Sequence, residues 1–345
     1  MENKKRILGI AAITVLLAFL LVGCFSLKKE QGKIPIKVLI LPKFEVGEMS
    51  GDFPGVAQLY YEEYVKGGDE YKLEHSIWDL TLYVKDGVAL CVAGEGKVCS
   101  TANTYAVLSD ERFDFSDAYI ISTGCAGSAE GYGVMGDVYI ITAAVDYDLG
   151  HTVDPRELED DSYPTWFHDD EFDTAAVVKL DQKLTDRVYN LVKDVPLETT
   201  ELTKKSMLES FPGEAWADRD PMVLKGTTTS ADNFYKGEYA HQNALLVTET
   251  YKCPDPYACS EMEDVGIGNV IMSFGMLDHY LIIRDSVNMD VFMKGMTPEN
   301  LWGEEKDAEL ASGESEQTAD IFETAMKNNF KVGKIVIDAI LNDSL

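Results

Sequence analysis

With 345 residues, 46% of them hydrophobic, the chain carries enough apolar surface for one large core or two smaller ones. Its 60 acidic residues against 30 basic ones leave a net charge of −30, which repels phosphate backbones and excludes nucleic acid as a partner. The acidic excess otherwise bears on solubility and says little about fold.

In chain order, Lys4, Lys5 and Arg6 precede an apolar run from Ile7 to Val22 that ends in Leu21-Val22-Gly23-Cys24. A basic head, a run short for a stop-transfer helix and a cysteine after small residues predict a bacterial lipoprotein signal. On this reading residues 1–23 are cleaved, the Cys24 thiol is lipidated, and residues 24–33 form a tether. Acyl chains, at about 0.8 kcal/mol per buried methylene, then hold the protein to the outer face of the cell membrane, extracytoplasmic and lipid-anchored. Cleavage removes Lys4, Lys5, Arg6 and Glu2, a net of +2, so the remainder carries −32. No composition break, repeat or linker follows between Ile34 and Val291, and residues 34–345 are expected to form a single domain.

Short runs rich in Val, Ile and Leu predict strands over 36–41, 87–93, 118–122, 138–144, 244–248 and 279–283. Helical periods fit 56–64, 101–108, 180–193, 262–274 and 318–341. Such alternation predicts an α/β protein, a sandwich with helices on both faces of a largely buried sheet. The strand from Ala118 runs into Thr123-Gly124-Cys125-Ala126-Gly127, where a glycine-rich loop can close around a ligand. Residues 303–317, with six acidic side chains, form a charged connector, either a solvated loop or a lid.

Five cysteines remain besides Cys24, so at least one is unpaired or has an external partner. Cys253-Pro-Asp-Pro-Tyr-Ala-Cys259 is the best disulfide candidate, because its prolines already bend the loop. No CxxC pair or neighbouring His cluster supplies four metal ligands, and no metal is expected. His168-Asp169-Asp170-Glu171 reads as a solvated acidic loop.

Five segments occur in a characteristic order: Gly94-Glu95-Gly96-Lys97-Val98, Thr123 to Gly127, Ser230-Ala231-Asp232-Asn233-Phe234, Ser260-Glu261-Met262-Glu263, and Ile283-Arg284-Asp285-Ser286-Val287-Asn288. This series resembles the nucleoside phosphorylase and nucleosidase superfamily, and within it the purine nucleoside permease family. The resemblance implies a three-layer α/β/α sandwich with a central mixed sheet and no cofactor, phosphate entering only if the protein is a phosphorylase. It further implies that Glu263, with Glu261, accepts the ribose hydroxyls while Met262 packs on the sugar. Phe234 and Tyr235 correspond to the aromatic stacked on the purine, and Asn288 to the reader of its N7 and O6 edge. Read without the resemblance, Glu261 and Glu263 equally fit first-turn acids complementing a helix dipole, and Asn288 an ordinary turn.

The departures bear on chemistry. Ser122 stands where phosphorylases place an Arg that clamps phosphate, and Cys125 where a hydroxyl is usual. Hydrolytic relatives use a Glu after the first strand to activate water, for which Glu45 and Glu48 are the candidates, and an Asp to protonate the purine. Here that position is Asn288, which has no such proton to give. The expected function is therefore a cell-surface lipoprotein that binds purine nucleosides and assists their uptake with a membrane transporter, binding without efficient turnover. The alternatives are an extracytoplasmic nucleoside hydrolase or phosphorylase, and an adhesion or structural lipoprotein that kept only the fold. The superfamily's oligomers make a homo-oligomer possible.

Overall fold

The computed structural model describes residues 32–160, 165–167, 173–298 and 316–345. The expected signal, Cys24, the acidic segment 168–171 and most of the connector 303–317 lie outside the described residues. From Pro35 to Leu345 the described chain forms one compact unit.

Ten strands build its main sheet: β1 (Val38–Leu41), β2 (Asp69–Lys72), β3 (Thr81–Lys85), β4 (Val88–Leu90), β5 (Tyr119–Ser128), β6 (Val138–Asp146), β7 (Val177–Lys179), β8 (Val223–Ser230), β9 (Tyr257–Glu261) and β10 (Tyr280–Met289). They run in the order β7-β6-β8-β9-β5-β1-β4-β3-β2, with β10 pairing both β5 and β6. Parallel pairs (β5 with β10 and β1, β8 with β6 and β9) and antiparallel pairs (β9 with β5, β10 with β6) make the sheet mixed. Strands β6, β8, β9, β5 and β10 thereby close a ring.

The helices are α1 (Gln58–Tyr60, continued by a π-helical turn over Tyr61–Val65), α2 (Lys97–Leu108), α3 (Gln182–Val192), α4 (Glu201–Ser210), α5 (Glu238–Thr250), α6 (Asp264–Ser273) and α7 (Glu316–Leu341). Successive strand residues point to opposite faces, and β10 shows what that separates. Leu281 and Ile283 join Val332, Val336 and Ile337 of α7 in one core cluster, and Asp285 Oδ1 accepts from Asn329 Nδ2 of the same helix at 2.7 Å. Between them Arg284 turns to the other face and binds Asp264 at the start of α6. Neighbouring β5 repeats the division, with Thr123 donating to Asn329 and Ser122 to Asp264. The fold is thus the expected three-layer sandwich.

Four expectations are corrected. Residues 244–248 belong to helix α5, where His241, Ala244, Val247 and Thr248 are buried at helical spacing; a short apolar run does not by itself choose between strand and helix. Strand β8 was not foreseen, because Thr227, Thr228, Thr229 and Ser230 read as polar although all are fully buried, and β9 was not foreseen because Tyr257 to Cys259 fall in the segment read as a proline-bent loop. The Gly124 to Gly127 segment is no loop but the second half of β5, held by β10 along its length and by β9 at Gly127 and Ser128. Cys253 and Cys259 are both free thiols: Cys259 is buried in β9 beside Thr228, and Cys253 packs against the Val145, Trp166 and Val247 cluster beside Thr227.

Candidate functional site

The carboxyl ends of β1, β5, β8, β9 and β10 converge on a cavity of about 250 Å³. Its wall takes residues from all five recognised segments: Glu95, Cys125 to Gly127, Asn233 and Phe234, Ser260 to Glu263, and Arg284, Val287 and Asn288. Tyr235 also lines it, together with Lys43, Phe44 and Asp290, which the sequence reading did not single out.

The floor is a buried charge cluster centred on Arg284. Its guanidinium donates through Nε to Asp264 Oδ2 at 2.7 Å, through Nη2 to Glu261 Oε2 at 2.9 Å and Glu263 Oε2 at 3.0 Å, and through Nη1 to the Cys125 carbonyl at 3.0 Å. Beside it Lys43 Nζ donates to the Leu41 carbonyl at 2.9 Å and to Ser122 Oγ at 2.5 Å, and lies 3.7 Å from Asp264 Oδ1. Two cations thus face three carboxylates. Burial pushes the Glu261 carboxyl up to about 7, with Asp264 adding to the rise, while Asp264 stays below its ordinary value because Arg284 and Lys43 outweigh burial. Burial pulls the Lys43 ammonium down to about 8 against the pull of Asp264. With Glu261 protonated the cluster is close to neutral.

Two glycines make room for this arrangement. A Cβ on Gly124 would stand 2.8 Å from Arg284 Nη1 and 3.0 Å from Lys43 Cγ, and one on Gly127 would stand 2.6 Å from Asn288 Oδ1. Only a side chain of one hydrogen lets these groups lie against β5.

Glu261 is spent on structure. Oε2 accepts the backbone N–H groups of Glu263 at 2.6 Å and Asp264 at 2.8 Å, and Oε1 accepts from the hydroxyls of Ser230 and Thr228, so it caps the first turn of α6. Glu263, only 4% exposed, is held by Arg284 and by the Gly96 N–H at 3.1 Å, and its remaining acceptor capacity faces the cavity with Met262 beside it. Gly96 belongs to the first recognised segment, and the next residue, Lys97, gives its N–H to Asp232 of the third at 2.8 Å.

Phe234 is 66% exposed at the cavity and free to cover a planar ligand. Tyr235 is committed elsewhere: its ring stacks on Tyr147 with centroids 4.1 Å apart, and its hydroxyl bonds Thr229 and Tyr257. Among the described residues no hydrogen bond engages the Asn288 side chain, which leaves its amide available. Cys125 contributes its carbonyl to Arg284 and packs its side chain with Phe44 and Val287; burial pushes its thiol up to about 12, which removes it as a nucleophile.

The two candidate water-activating residues do not reach the cavity. Glu45 accepts the backbone N–H groups of Val46, Gly55, Ala57 and Gln58, which fixes the loop that leads into α1. Glu48 is exposed on the same loop. Residue type and order placed these carboxylates after β1, but the backbone donors nearby claim one and the solvent the other. Lys43, Asp264 and Asp290 were missed, and Arg284 was read only as part of a motif. The available signal was a charge set inside or against an apolar run, as in Leu41-Pro42-Lys43 and Ile282-Ile283-Arg284, because unpaired charges are seldom buried.

A mixed sheet flanked by helices, with its cavity at the strand ends, places the protein in the nucleoside phosphorylase and nucleosidase class of folds. Similar solved structures are the 5′-methylthioadenosine/S-adenosylhomocysteine nucleosidase of Neisseria meningitidis (17% identical, 88% of this chain and 99% of that chain, TM-score 0.50), a putative enzyme of the same description from Francisella philomiragia (14%, 89% and 98%, 0.53) and the futalosine hydrolase of Helicobacter pylori (15%, 88% and 97%, 0.52). At these identities the likeness is one of fold. The chain itself belongs to the purine nucleoside permease (NUP) family, whose profile matches residues 35–344. A probable purine nucleoside permease of Schizosaccharomyces pombe is 24% identical over 193 residues, which span 50% of this chain and about half, 53%, of that relative. Among the described residues no helix is long and apolar enough to cross a membrane.

Proposed function

We propose that the protein is an extracytoplasmic lipoprotein, anchored through Cys24, that captures purine nucleosides in this cavity and passes them to a membrane transporter. The observation that carries the reading is the presence of two polar groups in the wall of one cavity: Glu263, a buried carboxylate with acceptor capacity left for ribose hydroxyls, and Asn288, an uncommitted amide suited to a purine edge. Phe234 covers the base, and Met262 packs on the sugar.

Phosphorolysis fits the site poorly. Ser122 is buried under Asp264 and Lys43, and the two neighbouring cations already serve three carboxylates, so phosphate would meet no free positive charge. Nucleoside affinity is therefore expected to be indifferent to added phosphate.

Calorimetric titration of the protein with a nucleoside panel, with and without phosphate, tests the binding reading. Failure to bind any purine nucleoside overturns it. Membrane fractionation tests the anchor: Cys24→Ala is expected to leave the membrane fraction, and unchanged retention with unchanged lipid labelling refutes lipidation at that residue.

A further inference from the structure

Two successive backbone N–H groups at the entry to α2 serve two different parts of the cavity wall. That of Gly96 reaches Glu263 Oε1 at 3.1 Å, and that of Lys97 reaches Asp232 Oδ1 at 2.8 Å, in the segment that carries Phe234. The Lys97 side chain then fastens a third segment, the end of β6 and the residues that follow it. Its Nζ donates to Asp146 Oδ1 at 2.7 Å and Asp148 Oδ2 at 2.9 Å, and lies 3.9 Å from Asp232 Oδ2. Asp148 closes the circuit, because Oδ2 also accepts the Asp232 N–H at 2.6 Å and Oδ1 accepts from Asn233 Nδ2 at 3.4 Å.

Phe234 therefore sits between two held neighbours. Asn233 is tied to Asp148, and Tyr235 is stacked on Tyr147, whose own N–H donates to the Ser230 carbonyl at 2.8 Å. The Phe234 ring is largely exposed, so little packing of its own fixes it, and its place at the cavity comes from the backbone on either side.

One ammonium thus faces three carboxylates. Lys97 and Asp146 are each only 13% exposed, so these contacts are screened less than ordinary surface pairs. Burial pulls the Lys97 ammonium down, but Asp146 and Asp148 outweigh it and hold it above its ordinary value, and it stays charged through the neutral range. Without it Asp146, Asp148 and Asp232 would meet without the charge that separates them. Asp232, half exposed, is the member able to swing out, and Phe234 follows two residues behind it.

We propose that Lys97 is the positioning residue for Phe234, locking the base-covering segment in place before a ligand arrives and tying it, through Gly96, to the carboxylate that accepts the sugar. The inference rests on the nucleoside-binding reading above. A cover already in place has no ordering cost at the moment of binding, and that cost returns as lost affinity once the lock is removed.

The test titrates the full chain with inosine and guanosine in a calorimeter, as wild type, Lys97→Met, Phe234→Ala and the double variant. Phe234→Ala is expected to lose about tenfold in affinity, the stacking contact being gone, and Lys97→Met about as much. The double variant is expected to fall no more than about threefold below either single one, since an unlocked segment leaves no stacking to lose, whereas independent effects would multiply to about 100-fold. Phe234→Trp supplies a second readout. Its indole emission is expected to be quenched by nucleoside, and adding Lys97→Met is expected to lower the indole anisotropy of the free protein and to cut the quench at saturation by half or more, which a merely structural role for Lys97 would not do. Should Lys97→Met fail to fold, Asp148→Ala, which removes an acceptor of both the Asp232 N–H and Lys97 Nζ on a partly exposed segment, is expected to give the same non-additivity with Phe234→Ala. Multiplying losses, an unchanged indole signal, or a Phe234→Ala affinity equal to wild type each overturn the inference and leave the binding reading standing; absence of binding in the wild type overturns both.

Discussion

Glu261→Gln isolates the electrostatics of the cavity floor, because the substitution removes a titratable group while preserving its contacts. The amide oxygen can take the place of Oε2, facing the Glu263 and Asp264 N–H groups and Arg284 Nη2, and the amide nitrogen can face the hydroxyls of Ser230 and Thr228. Burial, with Asp264 adding to it, raises the Glu261 carboxyl from an ordinary 4.5 to about 7. A folded value above the unfolded one means that the native state holds this proton more tightly. The stability it contributes is complete below pH 4.5 and is lost as pH rises through 7. At about 1.36 kcal/mol per pH unit the loss amounts to about 3 kcal/mol. Urea unfolding of wild type and variant from pH 4.5 to 8.5 is therefore expected to give a difference that moves by about 3 kcal/mol in favour of Glu261→Gln as pH rises. Two stability curves that stay parallel over this range would refute the reasoning and show that Arg284 keeps Glu261 ionised throughout.

Glu263→Gln removes one charged acceptor facing the cavity and is expected to weaken nucleoside binding by about 1.5–3 kcal/mol while leaving free-base affinity unchanged; equal losses in titrations of both ligands would exclude Glu263 as the sugar contact. Gly124→Ala drives a methyl against Arg284 Nη1 and Lys43 Cγ, neither of which can yield without giving up its hydrogen bonds, and thermal melting is expected to show a cost of about 1–3 kcal/mol. Glu45→Ala removes the acceptor of four backbone N–H groups before α1 and is expected to cost about 1–2 kcal/mol in stability with nucleoside affinity unchanged; lost affinity at unchanged stability would return Glu45 to the cavity.

The sequence by itself determined which segments border the cavity. Glycines at 124 and 127, the carboxylates at 261 and 263, the aromatic at 234 and the amide at 288 were legible through the order of the five segments and the family they resemble, since read alone Glu261 and Glu263 equally fit a helix's first turn and Asn288 an ordinary turn. Strands β1, β5, β6 and β10 were legible for a local reason, since short Val- and Ile-rich runs bounded by turn residues suit buried strands. What those carboxylates and cations do was settled only by tertiary structure. Glu261 and Glu263 are two residues apart in one segment, yet one caps α6 and the other faces the cavity, because Ser230 from β8 and Gly96 before α2 arrive on different sides. Likewise β8 was hidden by its threonines, whose burial depends on β6 and β9 flanking them, and 244–248 became helix because its apolar residues meet the core on one face only. Arg284, Lys43 and Asp264 come from segments far apart in the chain, as do Lys97, Asp148 and Asp232. Their charges and proton affinities follow from distances and burial, which local sequence does not encode.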